Sequence, residues 1–446
     1  MKIIIAGAGS GKTTSMANKI VESANNRLPG KNYFCIAFTN NAVEHISNKL
    51  SELYDGEIPN YIKVMTIHSF LYQEIIKPYY YLLYGINYES VSLNILEKNV
   101  KYRIKEISDL EKNGVIHVSA ITQRAMWVLK GKSSDKKIHK SIRNQILNIF
   151  SNYCEHIFVD EGQDIDKYTR QILEVLDAVG INITVVGDPK QDLHGFGNLR
   201  KLAENKYAEV TYIKQCYRCP NKHLKISNTL VDVKEMQNSN INDGIVKIRF
   251  ETDILNLNEY INSHKFDLMY INKKNDRFDT HSDNQKELFN SLYHLMLVLS
   301  SKYRNDSDLL LHRYAFSAAK CLIDYTDKIN LSRFVKIFFN SQIQSKEYAQ
   351  IASLISNKQH HSTNVLVSSI ESIKGREGEN CLFILTKDLA SYLFLDKKDN
   401  NKTKAALYVA LTRSRKKLTI LLTSEAEEIY GKSFVKEYFS KLYGII

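Results

Sequence analysis

The chain has 446 residues, of which 43% are hydrophobic and 25% charged, and its formal net charge is +12. This length and composition indicate a globular protein of two to four domains and exclude a disordered one. The positive charge slightly favours a polyanionic partner such as nucleic acid over a merely solvated basic surface. The sequence contains no apolar run of about 18 residues, which argues against a membrane span. Because its beginning also lacks a signal-peptide pattern, we expect a cytoplasmic protein.

Strand-like apolar runs recur along the first half of the chain, separated by helical stretches. They are MKIIIAG, YFCIAFT, YIKVMTIH, HIFVDE, ITVVGD and EVTYIK. A second set consists of GIVKIRF, FDLMYIN, NVLVSSI, NCLFILT and KKLTILLT. Alternating strands and helices predict an α/β fold with two parallel sheets, each covered on both faces. Residues 71–150 and 280–358 break the alternation, and we interpret both as helical insertions.

The chain begins with a strand, a glycine-rich loop and a helix, the order found in phosphate-binding loops. The usual pattern is G-x-x-x-x-G-K-[ST], and here Ala6 stands at its first position. Lys12 would give a point charge to the β- and γ-phosphates, and Thr13 a hydroxyl to Mg²⁺. The sequence therefore predicts a nucleotide site. Its residues are Ala8, Gly9, Ser10, Gly11, Lys12, Thr13 and Thr14.

The carboxylates that such a loop requires follow a strand in HIFVDEGQD. We expect Asp160 to hold Mg²⁺ together with Thr13, and Glu161 to accept a proton from the attacking water as general base. Two adjacent acids at a strand tip are usually a solvated turn. The phosphate-binding loop upstream makes a Walker B pair the better interpretation.

Six scattered cysteines argue against a disulfide framework. Cys216 and Cys219 form a C-x-x-C motif without the second ligand pair that a structural zinc site needs. We therefore interpret this motif as incidental.

Eight sequence blocks occur in an order that resembles the UvrD/Rep-like superfamily 1A helicases. They are AGAGSGKTT, FCIAFTNNAVEHISNKL, VMTIHSF, FVDEGQD, VVGDPKQDLHGF, QCYR, IKGREGE and LYVALTRSR. The resemblance implies two RecA-like motor domains, residues 1–70 plus 151–222 and residues 223–279 plus 359–446. Residues 71–150 and 280–358 would be the family's two helical insertions, the second of reduced size. The implied activity is that of an ATP- and Mg²⁺-dependent DNA helicase or translocase that moves 3′ to 5′ on single-stranded or tailed DNA.

The same resemblance assigns roles around the nucleotide. Gln191 resembles the sensor of the γ-phosphate, and Arg413 the arginine finger supplied by the second motor domain. Tyr217 resembles the aromatic residue that stacks on adenine. Arg218 would contact phosphate, and Glu377 would bind the ribose.

The resemblance also predicts DNA contacts and a residue that links them to ATP. Gln163 resembles the amide that connects the catalytic site to the strand-binding loops. Aromatic and polar side chains at strand ends would stack on bases or reach the sugar-phosphate backbone. The predicted DNA-binding residues are Phe38, Thr39, Asn40, His68, His194 and Phe196.

Two alternatives to a helicase stay open. The compact layout and the segment TIHSFLYQEIIKPYYYLLYG resemble the helicase-like subunit of the Gabija anti-phage system. That resemblance implies a partner nuclease, whose activity a DNA- or nucleotide-sensing ATPase would regulate with little unwinding of its own. A phosphate-loop enzyme acting on small molecules is the third, less supported, interpretation.

Overall fold

The computed structural model of the chain describes residues 1–96, 99–324, 331–339, 343–356 and 365–443. Its strands form two six-stranded parallel sheets and one small two-stranded sheet. We call residues 1–213 the first lobe and the described residues from 214 to 443 the second lobe. The α/β fold with two parallel sheets, predicted from the alternation of strands and helices, is confirmed.

The first sheet is built from the six apolar runs of the first lobe. Its strands are β1 (Lys2–Ala6), β2 (Asn32–Ala37), β3 (Ile62–Thr66), β6 (Cys154–Val159), β7 (Asn182–Gly187) and β8 (Glu209–Ile213), whereas β4 (Ser90–Ser92) and β5 (Val115–His117) form the small sheet. The order in the first sheet is β3-β2-β6-β7-β1-β8, and every pair is parallel. Buried side chains cover both faces of this sheet, as expected for a parallel sheet between helices.

The helices of the first lobe lie on both faces of its sheet and in the first predicted insertion. They are α1 (Lys12–Ala24), α2 (Asn40–Leu53), α3 (Ile67–Phe70), α4 (Lys77–Tyr84), α5 (Val100–Lys112), α6 (Ile121–Leu129), α7 (Lys137–Tyr153), α8 (Lys167–Ala178) and α9 (Asn198–Ala203). A π-helical turn, Leu71–Ile76, joins α3 to α4 in one continuous helical segment.

The second sheet, like the first, has six parallel strands. Its strands are β9 (Ile245–Phe250), β10 (Leu268–Ile271), β11 (Phe278–Thr280), β12 (Val365–Ser369), β13 (Gly378–Leu385) and β14 (Ser414–Leu422). They lie in the order β11-β12-β10-β13-β14-β9, again in parallel. Separate apolar clusters cover its two faces.

The helices of the second lobe fall into two groups, those that pack on the sheet and those that form a separate bundle. The first group is α10 (Asn221–Asn228), α11 (Leu257–His264), α16 (Lys387–Leu393), α17 (Lys402–Leu411), α18 (Ser424–Tyr430) and α19 (Lys432–Tyr443). The second group is α12 (His281–Tyr303), α13 (Asp308–Asp324), α14 (Leu331–Phe339) and α15 (Ser345–Ser356), which share an apolar core of their own. The predicted domain boundary at residues 358/359 lies outside the described residues, and the division into motor domains and insertions stays a prediction.

The parallel topology explains where polar side chains gather. The carboxyl ends of parallel strands meet at one edge of a sheet, where ligands bind in open α/β folds. At this edge of the first sheet, β1 is followed by the glycine-rich loop, β6 by Asp160 and β7 by Asp188. The starts of β13 and β14, with Glu377 and Arg413 immediately before them, lie opposite in the second lobe. Among the helices of the described residues, none combines the length and the apolarity needed to cross a bilayer.

Candidate nucleotide and nucleic-acid site

The loop between β1 and α1, residues 6–14, which we call the P-loop, has the backbone of an anion cradle. Gly9 and Gly11 adopt left-handed conformations with φ of 66° and 71°, which are costly for residues with a Cβ. Helix α1 then begins at Lys12 and directs its N-terminus at the cradle. The hydroxyl of Ser10 is buried and has no hydrogen-bond partner among the described residues. An orphaned donor in a ring of backbone N–H groups fits a bound phosphate.

Thr13 and Asp160 meet beside this cradle. The Thr13 hydroxyl donates a hydrogen bond to Asp160 Oδ2 over 3.1 Å, and the backbone N–H of Glu161 donates to Asp160 Oδ1 over 2.9 Å. Burial, and then the charge of Glu161, raise the pKa of Asp160 to about 6, although Lys12 acts in the opposite direction. A buried carboxylate with too little counter-charge, next to a hydroxyl, fits a divalent cation such as Mg²⁺.

Glu161 is held in a strained and specific position. Its backbone is left-handed with φ of 52°, a conformation that is uncommon for non-glycine residues and that recurs at functional sites. The Gln163 amide donates a hydrogen bond to its carboxylate. Burial alone would raise the pKa of Glu161, but Lys12, Lys374 and Gln163 together hold it below its ordinary value. Glu161 is therefore ionised near neutral pH, as a general base must be.

Gln163 connects Glu161 to the turn after β7. Its Oε1 accepts a hydrogen bond from the backbone N–H of Asp188 over 2.9 Å, and the Asp188 carboxylate in turn accepts one from Gln191 Nε2 over 2.9 Å. Lys190 Nζ lies 2.9 Å from the same carboxylate. The structure thus brings the P-loop, the two acids, Gln163 and Gln191 together in one network. Sequence reasoning gave no role to Asp188 or Lys190, although both stand in the quoted block VVGDPKQDLHGF.

The segment after β8 lies against the P-loop. The backbone N–H of Tyr217 donates to the Gly9 carbonyl over 2.8 Å, and the Tyr217 ring, 70% exposed, lies near Gly11. The Cys216 thiol donates to the Ala8 carbonyl over 3.2 Å and accepts a hydrogen bond from the backbone N–H of Cys219. The C-x-x-C motif, interpreted from the sequence as incidental, is therefore a packing contact of the nucleotide loop.

Arg218 and Glu377, predicted to contact phosphate and ribose, form an ion pair with each other. Arg415 pairs with the second oxygen of the same carboxylate, and the Arg415 side chain is 54% exposed. Glu377 thus lies between two guanidinium groups at the mouth of the cleft. Arg415 had no assigned role in the sequence.

Arg413, the predicted arginine finger, is buried within the second lobe. It is 1% exposed, and its guanidinium donates hydrogen bonds to the Val409 carbonyl over 2.9 Å, to the Thr412 hydroxyl over 3.1 Å and to the Arg376 carbonyl over 3.3 Å. All three acceptors belong to the second lobe. Burial, followed by repulsion from Arg218, lowers its pKa from the ordinary value for arginine. To act as an arginine finger, Arg413 has to exchange these acceptors for phosphate oxygens, and the role stays a prediction.

The predicted DNA contacts in the first lobe occupy the carboxyl ends of β2 and β3. Phe38 is half-buried against the core, and the Thr39 hydroxyl accepts a hydrogen bond from Ala42 N over 3.2 Å as the N-cap of α2. Asn40 is exposed in the first turn of this helix. Burial lowers the pKa of His68 against the opposing effect of Asp166, so we expect this imidazole to be neutral at pH 7.

His194 and Phe196 form an exposed aromatic pair. Their rings are stacked with centroids 5.0 Å apart and planes inclined by 19°, and Phe196 is 40% exposed. His194 also lines a cavity of about 720 Å³ between the lobes. The opposite wall of this cavity is a segment of the second lobe made of the loop between α16 and α17 and the first turn of α17, which we call the lysine-rich loop. It contributes Lys397, Lys398, Lys402 and Lys404.

Two family models match the chain. Residues 1–197 match a model described as an AAA domain, and residues 284–422 match one described as the viral superfamily 1 RNA helicase core domain.

Curated relatives are similar at modest identity. The Gabija protein GajB of Bacillus cereus is 25% identical over 314 residues, covering 65% of this chain and 60% of that protein. The ATP-dependent DNA helicase Rep of Buchnera aphidicola is 25% identical over 274 residues, covering 51% and 42%. The ATP-dependent DNA helicase PcrA of Staphylococcus aureus is 23% identical over 274 residues, covering 51% and 37%. The chain thus spans about half the length of the curated relatives it matches.

Among solved structures, an arterivirus nonstructural protein 10 helicase in complex with DNA aligns with 94% of this chain and 59% of its own. The TM-score is 0.36 at 10% identity.

Proposed function

We propose that this chain is a UvrD/Rep-like superfamily 1 helicase, as its similarity to Rep and PcrA and the two family models support, and that it couples hydrolysis of Mg-ATP to 3′-to-5′ movement along single-stranded DNA. The observation that carries the proposal is the single hydrogen-bonded network in the cleft. It runs from Thr13 and Asp160 through Glu161 and Gln163 to Asp188 and Gln191. Its members come from three separate strand ends, and each is of the residue type that phosphoryl transfer needs.

In this proposal each group of the network has one task. Lys12 and the P-loop N–H groups hold the phosphates, while Thr13 and Asp160 hold Mg²⁺. Bound Mg²⁺ would neutralise charge on the phosphate oxygens. Glu161, ionised and fixed by Gln163, is placed to take a proton from water. Gln191, tied to Asp188, would sense the γ-phosphate, and Arg413 would complete the site from the second lobe.

The cavity between the lobes supports a strand path next to the ATP site. Non-specific binding of single strands combines stacking on aromatic side chains with a basic groove along the phosphates. The stacked pair His194 and Phe196 offers the first feature, and the lysine-rich loop offers the second. Phe38, Thr39, Asn40 and His68 would continue the path over the first lobe.

The similarity to GajB favours a second candidate. In this alternative the chain is a DNA- or nucleotide-sensing ATPase that regulates a partner nuclease, as in anti-phage defence, and separates little duplex itself. The two candidates share the ATP site and differ in what hydrolysis drives.

The test compares wild-type protein with Lys12→Ala in ATP hydrolysis, with and without a single-stranded oligonucleotide. We expect DNA-stimulated hydrolysis by the wild type, its loss in Lys12→Ala, and retention of DNA binding by this variant. Lys19→Ala, an exposed lysine on the same helix, is the matched control and should behave as wild type. Hydrolysis by Lys12→Ala at the wild-type rate would overturn the proposal.

Strand displacement then separates the two candidates. Duplexes with a 3′ tail, a 5′ tail or blunt ends are offered to the purified chain. Displacement of the 3′-tailed duplex alone supports the 3′-to-5′ helicase. DNA-stimulated ATPase activity without displacement of any of them supports the regulatory ATPase.

A further inference from the structure

The tip of the P-loop is bound by two side chains of the second lobe to which the sequence analysis gave no role, Gln237 and Tyr408, the latter in the block LYVALTRSR. Gln237 Nε2 donates a hydrogen bond to the Ala8 carbonyl over 3.0 Å. The Tyr408 hydroxyl donates to Gln237 Oε1 over 2.8 Å and accepts from the Ala8 N–H over 3.4 Å. Ala8, Tyr408 and Gln237 therefore close a ring of three hydrogen bonds across the cleft.

The ring is buried and rigid. Ala8 is fully buried, and its side chain belongs to the apolar core of the second lobe, although the residue lies in the first. The backbone of Gln237 is fixed by Asn228, which accepts from its N–H over 3.0 Å and donates to its carbonyl over 2.8 Å. A Cβ on Gly7 would collide with the Gln237 amide, so the loop and the amide fit closely.

Tyr408 also touches the turn that carries Gln191. Lys190 Nζ lies 5.3 Å from the centre of the Tyr408 ring, within the range of a cation–π contact. Lys190 is paired with Asp188, the residue that accepts the hydrogen bond from Gln191. One side chain of the second lobe therefore contacts both the P-loop and the turn predicted to sense the γ-phosphate.

We propose that Tyr408 and Gln237 are positioning residues for ATP binding, which hold the peptide groups of Ala8 and thereby keep the P-loop in its nucleotide-receiving shape. The inference rests on the proposed ATPase function. Neither side chain has to touch ATP, because both act through the Ala8 backbone. Since the ring joins the two lobes, it also makes nucleotide affinity depend on how the lobes are arranged.

The physical reason is the cost of leaving buried polar groups unpaired. Tyr408→Phe keeps the aromatic ring and its contact with Lys190. It removes the hydroxyl that accepts from the Ala8 N–H and donates to Gln237 Oε1. Gln237→Met keeps the volume but leaves the Ala8 carbonyl without the amide donor. Because the P-loop can then relax into shapes that bind phosphate less well, we expect nucleotide affinity to fall about 5- to 30-fold in each variant.

The experiment measures the Kd of a fluorescent ADP analogue and, separately, KM and kcat for ATP. We expect Kd and KM to rise together while kcat changes less than the affinity. The double variant should be little worse than the weaker-binding single variant, because the two side chains act as one ring. Tyr438→Phe is the matched control, since its hydroxyl donates to the Leu393 carbonyl over 2.9 Å within the second lobe, away from the P-loop.

Unchanged affinity in both variants overturns the inference, as does a fall in kcat at unchanged affinity. An equal loss of affinity in Tyr438→Phe also overturns it, because the effect would then be a general loosening of the second lobe. Wild-type protein that neither binds the ADP analogue nor hydrolyses ATP contradicts the proposed function itself. Thermal unfolding of each variant identifies any that does not fold. The nucleotide affinity of the other single variant then tests the inference by itself.

Discussion

Asp160 is a buried carboxylate that has only lysine, hydroxyl and N–H groups to stabilise its charge. Burial and the adjacent Glu161 raise its pKa to about 6, above the ordinary value near 3.9. Between these two pH values the folded protein binds more protons than the unfolded chain. Stability is therefore lost as pH rises from about 4 to about 6, and the full penalty is present at pH 7. This loss of stability arises at the position where a bound cation would offset it.

We predict that Asp160→Asn makes the protein more stable and inactive. Asparagine can keep the contacts to Thr13 and to the Glu161 N–H but carries no charge, so the free energy of unfolding at pH 7.5 should rise by about 1–3 kcal/mol. Urea unfolding in the presence of EDTA measures this gain, which should disappear below about pH 4. ATP hydrolysis should be abolished. Asp243→Asn, at an exposed position, is the control and should change stability by less than about 0.5 kcal/mol.

Arg413 is also a buried charge, but its guanidinium donates hydrogen bonds to three oxygen atoms. We predict that Arg413→Lys loses both stability and turnover. An ammonium group cannot reproduce the planar fork that reaches the Val409, Thr412 and Arg376 oxygens, so unfolding should become easier by about 1–3 kcal/mol. As an arginine finger, Arg413 would also contribute to kcat by about 10³-fold or more. Thermal unfolding and steady-state kinetics measure the two effects separately.

Arg415→Lys is the control for Arg413→Lys. It lies two residues further along, its side chain is half exposed and pairs with Glu377, and we expect a lysine there to keep this pair. Arg413→Lys with reduced stability and wild-type kcat would restrict Arg413 to a structural role.

At the level of elements, the loop between α16 and α17 combines strain with charge. Leu395 adopts a left-handed backbone with φ of 66°, which leucine rarely does, and its side chain is exposed at the cavity. Lys397 and Lys398 are exposed on the same loop, and Lys402 is exposed at the first position of α17. Burial lowers the pKa of Lys404, with Asp232 acting against this shift and Arg200 adding to it. The exposed lysines beside it offer positive charge to the phosphates of a nucleic-acid strand.

We predict that replacing Lys397, Lys398 and Lys402 together by alanine weakens the binding of oligo-dT and reduces its dependence on salt. Each lysine that no longer neutralises a phosphate lowers the slope of log K against log salt by roughly 0.7 for a single strand, so the slope should fall by about 2. Fluorescence anisotropy at several salt concentrations measures it.

The control triple variant removes Lys2, Lys63 and Lys206, which are exposed near the amino ends of β1, β3 and β8. These lysines lie at the edge of the first sheet opposite the P-loop, and their replacement by alanine removes the same total charge. A slope that falls equally in both triple variants would indicate an effect of net charge, and no role for the lysine-rich loop.

Strand positions could be predicted from the sequence because each apolar run has the length and β-branched content of a buried strand. The six runs of the first lobe and the five of the second all carry strands of the two sheets. The strands that were missed, β4, β5 and β11, are three residues each and too short to show a pattern. Edge strands of this length are fixed by tertiary pairing, which periodicity does not encode.

The candidate site likewise contains residues that the sequence could predict and residues that it could not. Lys12, Asp160 and Gln191 stand in motifs that follow strands, and the parallel topology then brings them together. The contacts of Gln237 and Tyr408 could not be predicted, although Tyr408 stands in the block LYVALTRSR, because their partner is the backbone of Ala8, 229 and 400 residues away in the sequence. A backbone atom has no side-chain identity, so a contact of this kind leaves no motif.

For the whole molecule, the arrangement of the two lobes depends on contacts near the hydrogen-bonded network of the candidate site. Lys374 of the second lobe donates to both carboxylate oxygens of Asp164 in the first lobe, over 2.7 and 2.6 Å. Burial raises the pKa of Asp164, and Lys374 opposes this shift. Asp164 directly follows Gln163, so this ion pair connects the turn after β6 to the opposite lobe.

We predict that Lys374→Ala opens the cleft of the ligand-free protein. Partly buried hydrogen bonds between charged groups contribute about 1.5–3 kcal/mol, and removing this pair should shift the ratio of open to closed molecules by at least about tenfold. Small-angle X-ray scattering should then give a larger radius of gyration, and spin labels on the two lobes a broader distance distribution. Lys416→Ala is the matched control, because Lys416 pairs with Glu379 within the second lobe, with Nζ 3.0 Å from the carboxylate. An unchanged radius of gyration in Lys374→Ala would contradict the prediction and would mean that the other contacts between the lobes, such as the pair of Arg200 with Glu235 and the P-loop contacts of Tyr408 and Gln237, hold the lobes together without this ion pair.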